Sequence, residues 1–337
     1  MAVWTEFQPL ESLVLGNLFP TDQLLSQLNL RDKWADAFRY INDQSLIELN
    51  AISDLLSSRN VKVKRPKDYD ISMANMTLGP SLSPRDWFMV YGNVVLQGND
   101  AYANHNLRTH STLGIHDMET ISMPNYDMWA DKGFDDLEHN TVQRPYYHTA
   151  NMLRCGHDIF YSLYPCRTGN TAGLDWMMDH IMEINPKARF HPVDTQEHLD
   201  GAIFFVRPGL ILSNMSKDRL PDFFATWDVI VVDESDKHAF YKSTLAYKWK
   251  KLSPIVAKEY AWFMQTNPEE TCFSINGLSL DENTIIFPGN NPSLFRKLEK
   301  IGIECLSVSM RAISFWDSGL HCCTSELSRS GGLEDFS

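Results

Sequence analysis

The sequence predicts a mixed α/β fold that forms one body. Extended apolar segments broken by Gly-containing turns recur along the chain, which is typical of β-hairpins. Segments with apolar residues at helical spacing lie between them. Each hairpin begins with a polar residue, and these starts lie near positions 86, 151, 198, 274 and 322. The repeat is too irregular for a solenoid, so we expect the five starts to converge on one axis of a single domain, residues 1–337.

The N-terminal part contains a strand, a long helical region and a hairpin. Residues 7–16 are predicted as a strand that ends in a Gly turn. A Thr-Asp pair can cap a helical region over 21–56, where the apolar periodicity divides into two pieces. A short strand is predicted over 61–63, and two apolar runs around a Gly-Asn pair predict a hairpin over 84–96. Residues 100–145 are irregular, polar and aromatic, as in a functional loop.

In the rest of the chain, segments predicted as strands alternate with segments predicted as helices. Apolar runs around short turns predict hairpins, helical periodicity predicts helices, and a run of β-branched residues predicts a buried strand. A proline interrupts the longest of these helices, and a glycine ends the last one. In chain order these elements are hairpin 151–162, helix 173–184, hairpin 198–213, helix 220–226, buried strand 229–232, helix 242–264, hairpin 273–287, helix 292–301 and strand 305–308.

Composition and charge limit the function classes. The chain has 337 residues, 43% of them hydrophobic, which is enough for a substantial core. Its formal net charge of −13 argues against a nucleic-acid or anionic-membrane partner. No apolar run has the length of a membrane span, and Met1 to Leu13 lack a signal-peptide pattern. We expect a cytoplasmic protein with small-molecule substrates.

The six cysteines are sparse and include no CxxC pair, so reduced thiols are expected. No group of Cys and His has the spacing of zinc ligands, so no metal or other cofactor is predicted. The segment from Gly319 to Leu327 places Cys322 and Cys323 in a polar setting where a thiolate could be exposed. The alternative is that these cysteines are small buried hydrophobes.

The polar residues at the hairpin starts could act together. If His198 and Asp200 are two apart on a strand, their side chains face the same side and could move protons and bind a cation. In the alternative interpretation Asp200 caps a turn, His198 is exposed, and Asp86 pairs with Arg85 at the surface. A Cys nucleophile with a separate His is a recognised catalytic plan, and neighbouring carboxylates suit a guanidinium substrate.

Five motifs follow one another along the chain. They are Trp4 to Gly16, Pro84-Arg85-Asp86 with Tyr91-Gly92-Asn93, Ala150 to Phe160 with Gly173 to Met177, His198-Leu199-Asp200 with Arg207 to Asn214, and Gly319 to Thr324. In this order they resemble amidinotransferases of the guanidino-group-modifying superfamily, such as glycine and inosamine-phosphate amidinotransferases. The similarity runs nearly end to end.

This resemblance implies a fold, a reaction and a set of site residues. The implied fold is a five-bladed, pseudo-fivefold α/β propeller of ββαβ modules around a central pocket. The implied reaction moves the amidino group of L-arginine to an acceptor amine, glycine by default, through an amidino-cysteine, and releases ornithine. The implied catalytic residues are Cys322, His198 and Asn151, which stands where the family has the Asp that partners the histidine, so the resemblance implies that Asn151 pairs with His198. The implied substrate-binding residues are Asp86, Asp200, Arg154, Lys217 and Arg311.

The resemblance favours Cys322 over Cys323 as the nucleophile because Cys322 follows His321, and Cys323 is then expected to be packed. Two other functions remain open. One is a hydrolase of the same superfamily, such as an arginine deiminase or dihydrolase, in which water attacks the amidino-cysteine. The other is a non-catalytic binding protein that retains the fold. A homodimer is also open.

Overall fold

The computed structural model describes residues 2–18, 20–28, 32–66, 82–98, 115, 117–124, 145–162, 168–195, 198–232, 275–316 and 318–337. The α-helices are α1 Thr21–Leu28, α2 Asp32–Ser58, α3 Pro84–Trp87, α4 Thr171–Ile184, α5 Leu199–Ala202 and α6 Pro292–Glu299. Short 3-10 helices span Thr149–Asn151, Lys217–Arg219, Asp222–Thr226 and Ile313–Trp316. The strands are β1 Leu10–Leu15, β2 Lys62–Lys64, β3 Phe88–Tyr91, β4 Val94–Gln97, β5 Glu119–Ser122, β6 Met152–Cys155, β7 Asp158–Ser162, β8 Arg189–Val193, β9 Ile203–Arg207, β10 Leu210–Ser213, β11 Asp228–Val231, β12 Leu278–Asp281, β13 Thr284–Pro288, β14 Glu304–Val308 and β15 Thr324–Arg329.

Within the described residues, the strands form five three-stranded sheets with one common plan. In each sheet the middle strand pairs antiparallel with one neighbour and parallel with the other. A parallel pair needs a crossover connection, whereas an antiparallel pair can be joined by a tight turn. Four sheets therefore consist of a hairpin and a later strand, and the predicted α/β fold is confirmed.

The fifth sheet corrects one expectation, because the segment after position 322 does not form a hairpin. Instead, β15 pairs antiparallel with β1, from Leu10 opposite Arg329 to Leu15 opposite Thr324. The two ends of the chain are thereby joined in one sheet, with β2 parallel to β1 on the other side. Cys322 lies just before β15, the strand that pairs antiparallel with the middle strand of this sheet, as the first strand of each hairpin does in the other four.

A single helical turn precedes the first strand of three hairpins. These turns are α3 before β3, the 3-10 helix Thr149–Asn151 before β6, and α5 before β9. His198 lies immediately before α5, and Asp200 lies inside it. The strand alternation predicted for these two residues is therefore wrong, because the short helix turns Asp200 inward while the His198 side chain keeps 16% exposure.

The glycine turns and the helical periodicity of the sequence predicted the positions of most other described elements. Gly92 and Gly209 adopt φ values of +59° and +80° at the predicted hairpin turns, which a side chain disfavours. The predicted helical region 21–56 is divided into α1 and α2, as expected. The strand predicted as buried near 229–232 is β11, an edge strand whose residues are exposed or half-buried.

Two strands were not predicted, and some predictions fall on residues that the structure does not describe. Neither β5 nor β8 has a regular apolar pattern, and among the described strands each pairs along one side, β5 with β4 and β8 with β7. The helix predicted over 242–264 and most of the loop 100–145 lie outside the described residues. No helix in the described ranges has both the length and the apolarity required to cross a membrane.

Asp158 links β7 to the C-terminal tail. Its buried carboxylate lies 2.6 Å from Nη2 of Arg189 and 2.7 Å from Nε2 of His191. Arg189 also pairs with Asp335, which fixes the tail beside this sheet. Burial opposes ionisation of Asp158, but the hydrogen bonds from Arg189 and His191 hold its pKa below the usual range.

Replacing Asp158 by asparagine is expected to lower the free energy of unfolding by about 2 kcal/mol near neutral pH, because charged hydrogen bonds are lost. A depressed pKa contributes stability above the unfolded-state value of about 4, and this contribution is lost as the pH falls through the folded-state value. The difference between the two proteins should therefore shrink in acid. Urea titrations from neutral pH to about pH 3 test this, and a pH-independent difference would contradict it.

Candidate active site

Cys322 lies in a buried polar environment built from three segments. Its Sγ lies 3.4 Å from Oδ2 of Asp200 and accepts a hydrogen bond of 3.3 Å from Nδ2 of Asn276. The Oδ1 atom of Asn276 accepts hydrogen bonds from the backbone N–H groups of His321 and Cys322, at 2.8 and 3.2 Å. One side chain therefore holds both the turn and the sulfur. Asn276 follows the expected start of the fourth hairpin, so the convergence argument could have identified it.

The two carboxylate oxygens of Asp200 have different surroundings. Its Oδ2 accepts a hydrogen bond of 2.9 Å from Nδ1 of His321 and contacts Cys322, whereas Oδ1 has no hydrogen-bond partner among the described residues. Burial opposes ionisation, but the hydrogen bond and charge of His321, with the charges of His198 and Arg85, keep the pKa of Asp200 below its usual value. Asp200 is therefore a carboxylate with one available oxygen.

His321 lies between two carboxylates. Its Nδ1 faces Asp200, and its Nε2 lies 3.3 Å from Oε2 of Glu6. Both ring nitrogens can donate only in the imidazolium form. Burial and the charge of Arg85 oppose protonation, but the hydrogen bonds to Asp200 and Glu6 raise the pKa of His321. His321 therefore positions Asp200, a role that the sequence motif alone did not indicate.

A buried ionic cluster lies behind His321 and consists of Glu6, Arg85, Arg154, Glu326 and Arg329. Arg154 lies 2.7 Å from Glu6 and 2.8 Å from Glu326, and Glu326 also pairs with Arg85 and Arg329. Burial opposes the ionisation of both glutamates, but the surrounding guanidinium groups hold their pKa values well below the usual range. The cluster therefore contains two carboxylates, each paired with guanidinium groups, and three guanidinium groups in all.

The position of Arg154 corrects its predicted role in substrate binding. Its side chain is fully buried, and its nitrogens donate to Glu6, to Glu326 and to the carbonyl oxygen of Val90. A guanidinium that is enclosed by the protein's own acceptors is not accessible to a substrate carboxylate. Arg154 is a structural member of the ionic cluster.

Asp86 and His198 form the second pair of predicted residues. Oδ1 of Asp86 lies 3.7 Å from Nδ1 of His198, and the two side chains are 20% and 16% exposed. The neighbouring residue Arg85 donates its backbone N–H to the carbonyl oxygen of Cys322 at 3.4 Å. His198 is also close enough to Asp200 to lower its pKa. Four side chains from three segments that are distant in the sequence, Asp86, His198 with Asp200, and Cys322, therefore lie in one region.

Asn151 does not contact His198 in this arrangement. Its Nδ2 donates to the carbonyl oxygen and to Oγ1 of Thr168, each at 3.0 Å, and its Oδ1 accepts from the same hydroxyl. The predicted pairing of Asn151 with His198 is wrong for this structure, because an amide at this position satisfies its donors on Thr168. The carboxylate beside His198 is Asp86.

The remaining predicted residues lie apart from these contacts. Lys217 is exposed, and its Nζ donates to the carbonyl oxygen of Trp227 at 2.6 Å. Arg311 is exposed, and its backbone N–H is held by Glu48. Their binding of a substrate carboxylate stays a prediction. Cys323 is fully buried beside Ser318, and burial raises the pKa of its thiol to about 12, so its expected packing is confirmed.

Comparison with known proteins gives relatives that match the chain nearly end to end. Glycine amidinotransferase, mitochondrial, of Danio rerio is 23% identical over 385 residues, covering 98% of this chain and 83% of its own length. Inosamine-phosphate amidinotransferase 1 of Streptomyces glaucescens is 23% identical over 316 residues, covering 86% of this chain and 81% of its own. No protein-family model matches the chain.

Solved structures share the fold over the same extent. SxtG, an amidinotransferase of the saxitoxin biosynthetic pathway from Microseira wollei, has a TM-score of 0.72 at 19% identity and covers 100% of this chain and 99% of its own. Inosamine-phosphate amidinotransferase StrB1 from Streptomyces griseus has a TM-score of 0.70 at 20% identity, covering 99% and 98%. The predicted resemblance is confirmed: the chain is related to amidinotransferases over nearly its whole length and shares their fold.

Proposed function

We propose that the chain is an amidinotransferase that moves the amidino group of L-arginine to an acceptor amine through an amidino-cysteine on Cys322. One observation carries the proposal: Sγ of Cys322 contacts the buried Asp200 carboxylate, whose Oδ1 remains available for a donor. A guanidinium is planar, always charged and suited to carboxylate oxygens. Held by Asp200, its carbon would lie beside the sulfur.

The first half-reaction breaks the bond between the guanidino carbon and the ornithine nitrogen. The Cys322 thiolate, stabilised by the Nδ2–H of Asn276, attacks that carbon. The departing nitrogen takes a proton from His198, whose Nδ1 lies 3.7 Å from the Asp86 carboxylate. An amidino-cysteine remains on the enzyme.

The second half-reaction transfers this group to the acceptor. The incoming amine loses a proton to the now neutral His198, attacks the amidino carbon and displaces the thiolate. Transfer between two amines through one sulfur predicts ping-pong kinetics. Glycine is the default acceptor, because glycine amidinotransferase is among the named relatives, and another amine is the alternative, because other relatives have other acceptors in their names.

We also infer that the five sheets are the blades of a five-bladed propeller with approximate fivefold symmetry. Their shared strand plan and the joining of the chain ends by β15 and β1 support this arrangement. In such a ring the first strands of all sheets begin near one axis. This explains why segments near positions 86, 200, 276 and 322 contact one another.

Incubation with arginine alone separates transfer from hydrolysis. A transferase stops after the enzyme has been modified once, and ornithine accumulates only when an amine is added. A hydrolase of this fold produces citrulline or ammonia continuously without an amine. We expect amine-dependent ornithine, with the acceptor identified by mass spectrometry of a panel of amines. Sustained turnover with arginine alone would overturn the transferase proposal in favour of hydrolysis.

Replacing Asp200 by asparagine is expected to raise the KM for arginine by about tenfold or more, because a charged hydrogen-bond partner of the guanidinium is lost. The acceptor's KM should change much less, because the lost contact is to the guanidinium of arginine and not to the acceptor amine. Initial rates with each substrate varied in turn measure both constants. An unchanged KM for arginine would contradict the role assigned to Asp200.

A further inference from the structure

A second histidine lies beside the predicted proton donor. Asp86, His148 and His198 each offer one ligand atom, and the three atoms lie within 4.8 Å of one another. The ring centroids of His148 and His198 are 5.3 Å apart. The three residues lie far apart in the sequence and belong to three different segments, so the absence of ligand spacing in the sequence did not exclude this group.

The ligand types match those of a borderline divalent cation. Imidazole nitrogens and carboxylate oxygens bind Zn²⁺ at about 2.0–2.2 Å, and two histidines with one carboxylate leave a fourth position open. Tetrahedral ligands at that distance lie about 3.4 Å apart. Nδ1 of His198 and Oδ1 of Asp86 are separated by 3.7 Å. Small side-chain movements would therefore bring all three atoms to a bound ion.

The packing of His148 fixes one side of this group. The residue is 9% exposed and immediately precedes the 3-10 helix Thr149–Asn151. Its ring lies against Trp87, with centroids 6.0 Å apart, and against His198. The other two side chains, Asp86 and His198, are 20% and 16% exposed, so this group is not closed off from solvent.

A second group of possible ligands does not support a metal. Glu6, His321 and Glu326 also lie within 4.8 Å of one another, and all three are buried. However, arginine side chains of the ionic cluster already neutralise both glutamates. A divalent cation there would add two positive charges beside Arg85 and Arg154.

We propose that Asp86, His148 and His198 form a binding site for Zn²⁺ or a similar divalent cation, and that the bound ion inhibits amidino transfer. The inhibition rests on the proposed function, since the ion would occupy the imidazole of His198 that is needed for proton transfer and the Asp86 carboxylate beside it. Binding itself does not depend on that function. His148 has no role in the proposed transfer, so it allows the site to be changed separately.

The binding test is a calorimetric titration of the full reduced chain with ZnCl₂. We expect one equivalent to bind, and His148→Gln to weaken that binding by about tenfold or more, since loss of a ligand costs at least as much as loss of its supporting contacts. His180→Gln is the matched control, because His180 pairs with Glu183 on helix α4 and should leave the affinity unchanged. Equal affinity of His148→Gln and the unmodified chain would overturn the proposal.

A further variant tests whether the thiol is the true ligand. Cys322→Ala should retain Zn²⁺ binding, and the Co²⁺-substituted chain should lack a thiolate-to-cobalt charge-transfer band. Loss of binding in Cys322→Ala would assign the ion to the sulfur and overturn the proposed ligand set.

The activity test is kept separate from the binding test. Zn²⁺ should inhibit the unmodified enzyme reversibly, with recovery on chelation, and should inhibit His148→Gln only at about tenfold higher concentration. Binding without inhibition would overturn the inhibitory role. If the protein transfers no amidino group, the titration still decides the metal site, so failure of the proposed function is distinguished from failure of this inference.

Discussion

Replacing Cys322 by serine is expected to abolish amidino transfer, with a loss of at least about 10⁴-fold in kcat, while the fold is retained. A serine hydroxyl is far less acidic than a thiol, so no comparable nucleophile would form beside Asn276 and Asp200. The measurements are ornithine release in the presence of an acceptor and the thermal unfolding midpoint. Intact-mass analysis should also detect an amidino adduct on the unmodified enzyme and none on the variant.

Cys305→Ser is the matched control for this experiment. Cys305 lies in β14, is half-buried, and has a thiol pKa raised to about 11 by burial and nearby glutamates. It has no contact with Cys322 or Asp200 among the described hydrogen bonds. We expect this variant to keep its activity and its adduct. Turnover by Cys322→Ser within tenfold of the unmodified enzyme would rule out this nucleophile.

Glu326→Gln is expected to lower the free energy of unfolding by about 3–5 kcal/mol, the usual cost of breaking a buried ion pair from one side. Glu326 is fully buried in β15 and pairs with Arg85, Arg154 and Arg329. An amide of the same shape removes the negative charge and leaves three guanidinium groups with a single neighbouring glutamate, Glu6. Urea unfolding with a shared slope measures the difference.

Glu304→Gln provides the comparison at the surface. Glu304 pairs with Arg59 at 2.9 Å, but both side chains are more than one-third exposed. Water and salt screen such a pair, so its loss should have a much smaller effect. Equal destabilisation by the two variants would show that the ionic cluster is no more important than a surface pair. A Glu326→Gln chain that cannot be recovered folded, beside a normal Glu304→Gln, would agree with the expectation.

The local parts of the fold could be predicted from the sequence. The turns at Gly92 and Gly209 and the helix that ends before Gly302 depend on residues a few positions apart. The pairing of β15 with β1 could not be predicted in this way, because its partners are more than 300 residues apart in the chain. The sequence of β8 has no regular apolar pattern, because the position of this strand depends on its pairing with β7.

For the active site as well, the sequence identified individual residues but did not predict their contacts. Cys322, His198, Asp86 and Asp200 were identified as residues, since their chemistry and order resemble a known family. The residues that contact them in the structure were not predicted. Asn276 and His321 acquire their roles from contacts across the molecule, and Asn151 bonds Thr168 where a partnership with His198 was expected.

By itself, the sequence determined an α/β chain of repeated strand pairs with a thiol, an imidazole and two carboxylates at their starts. Local backbone preferences and the reactivity of single side chains are properties of short segments, so they can be read in order. Only the tertiary structure decided that Arg154 is enclosed between Glu6 and Glu326, that His321 holds Asp200, and that His148 lies beside His198. Burial and pairing depend on which distant segments meet, and no short segment contains that information.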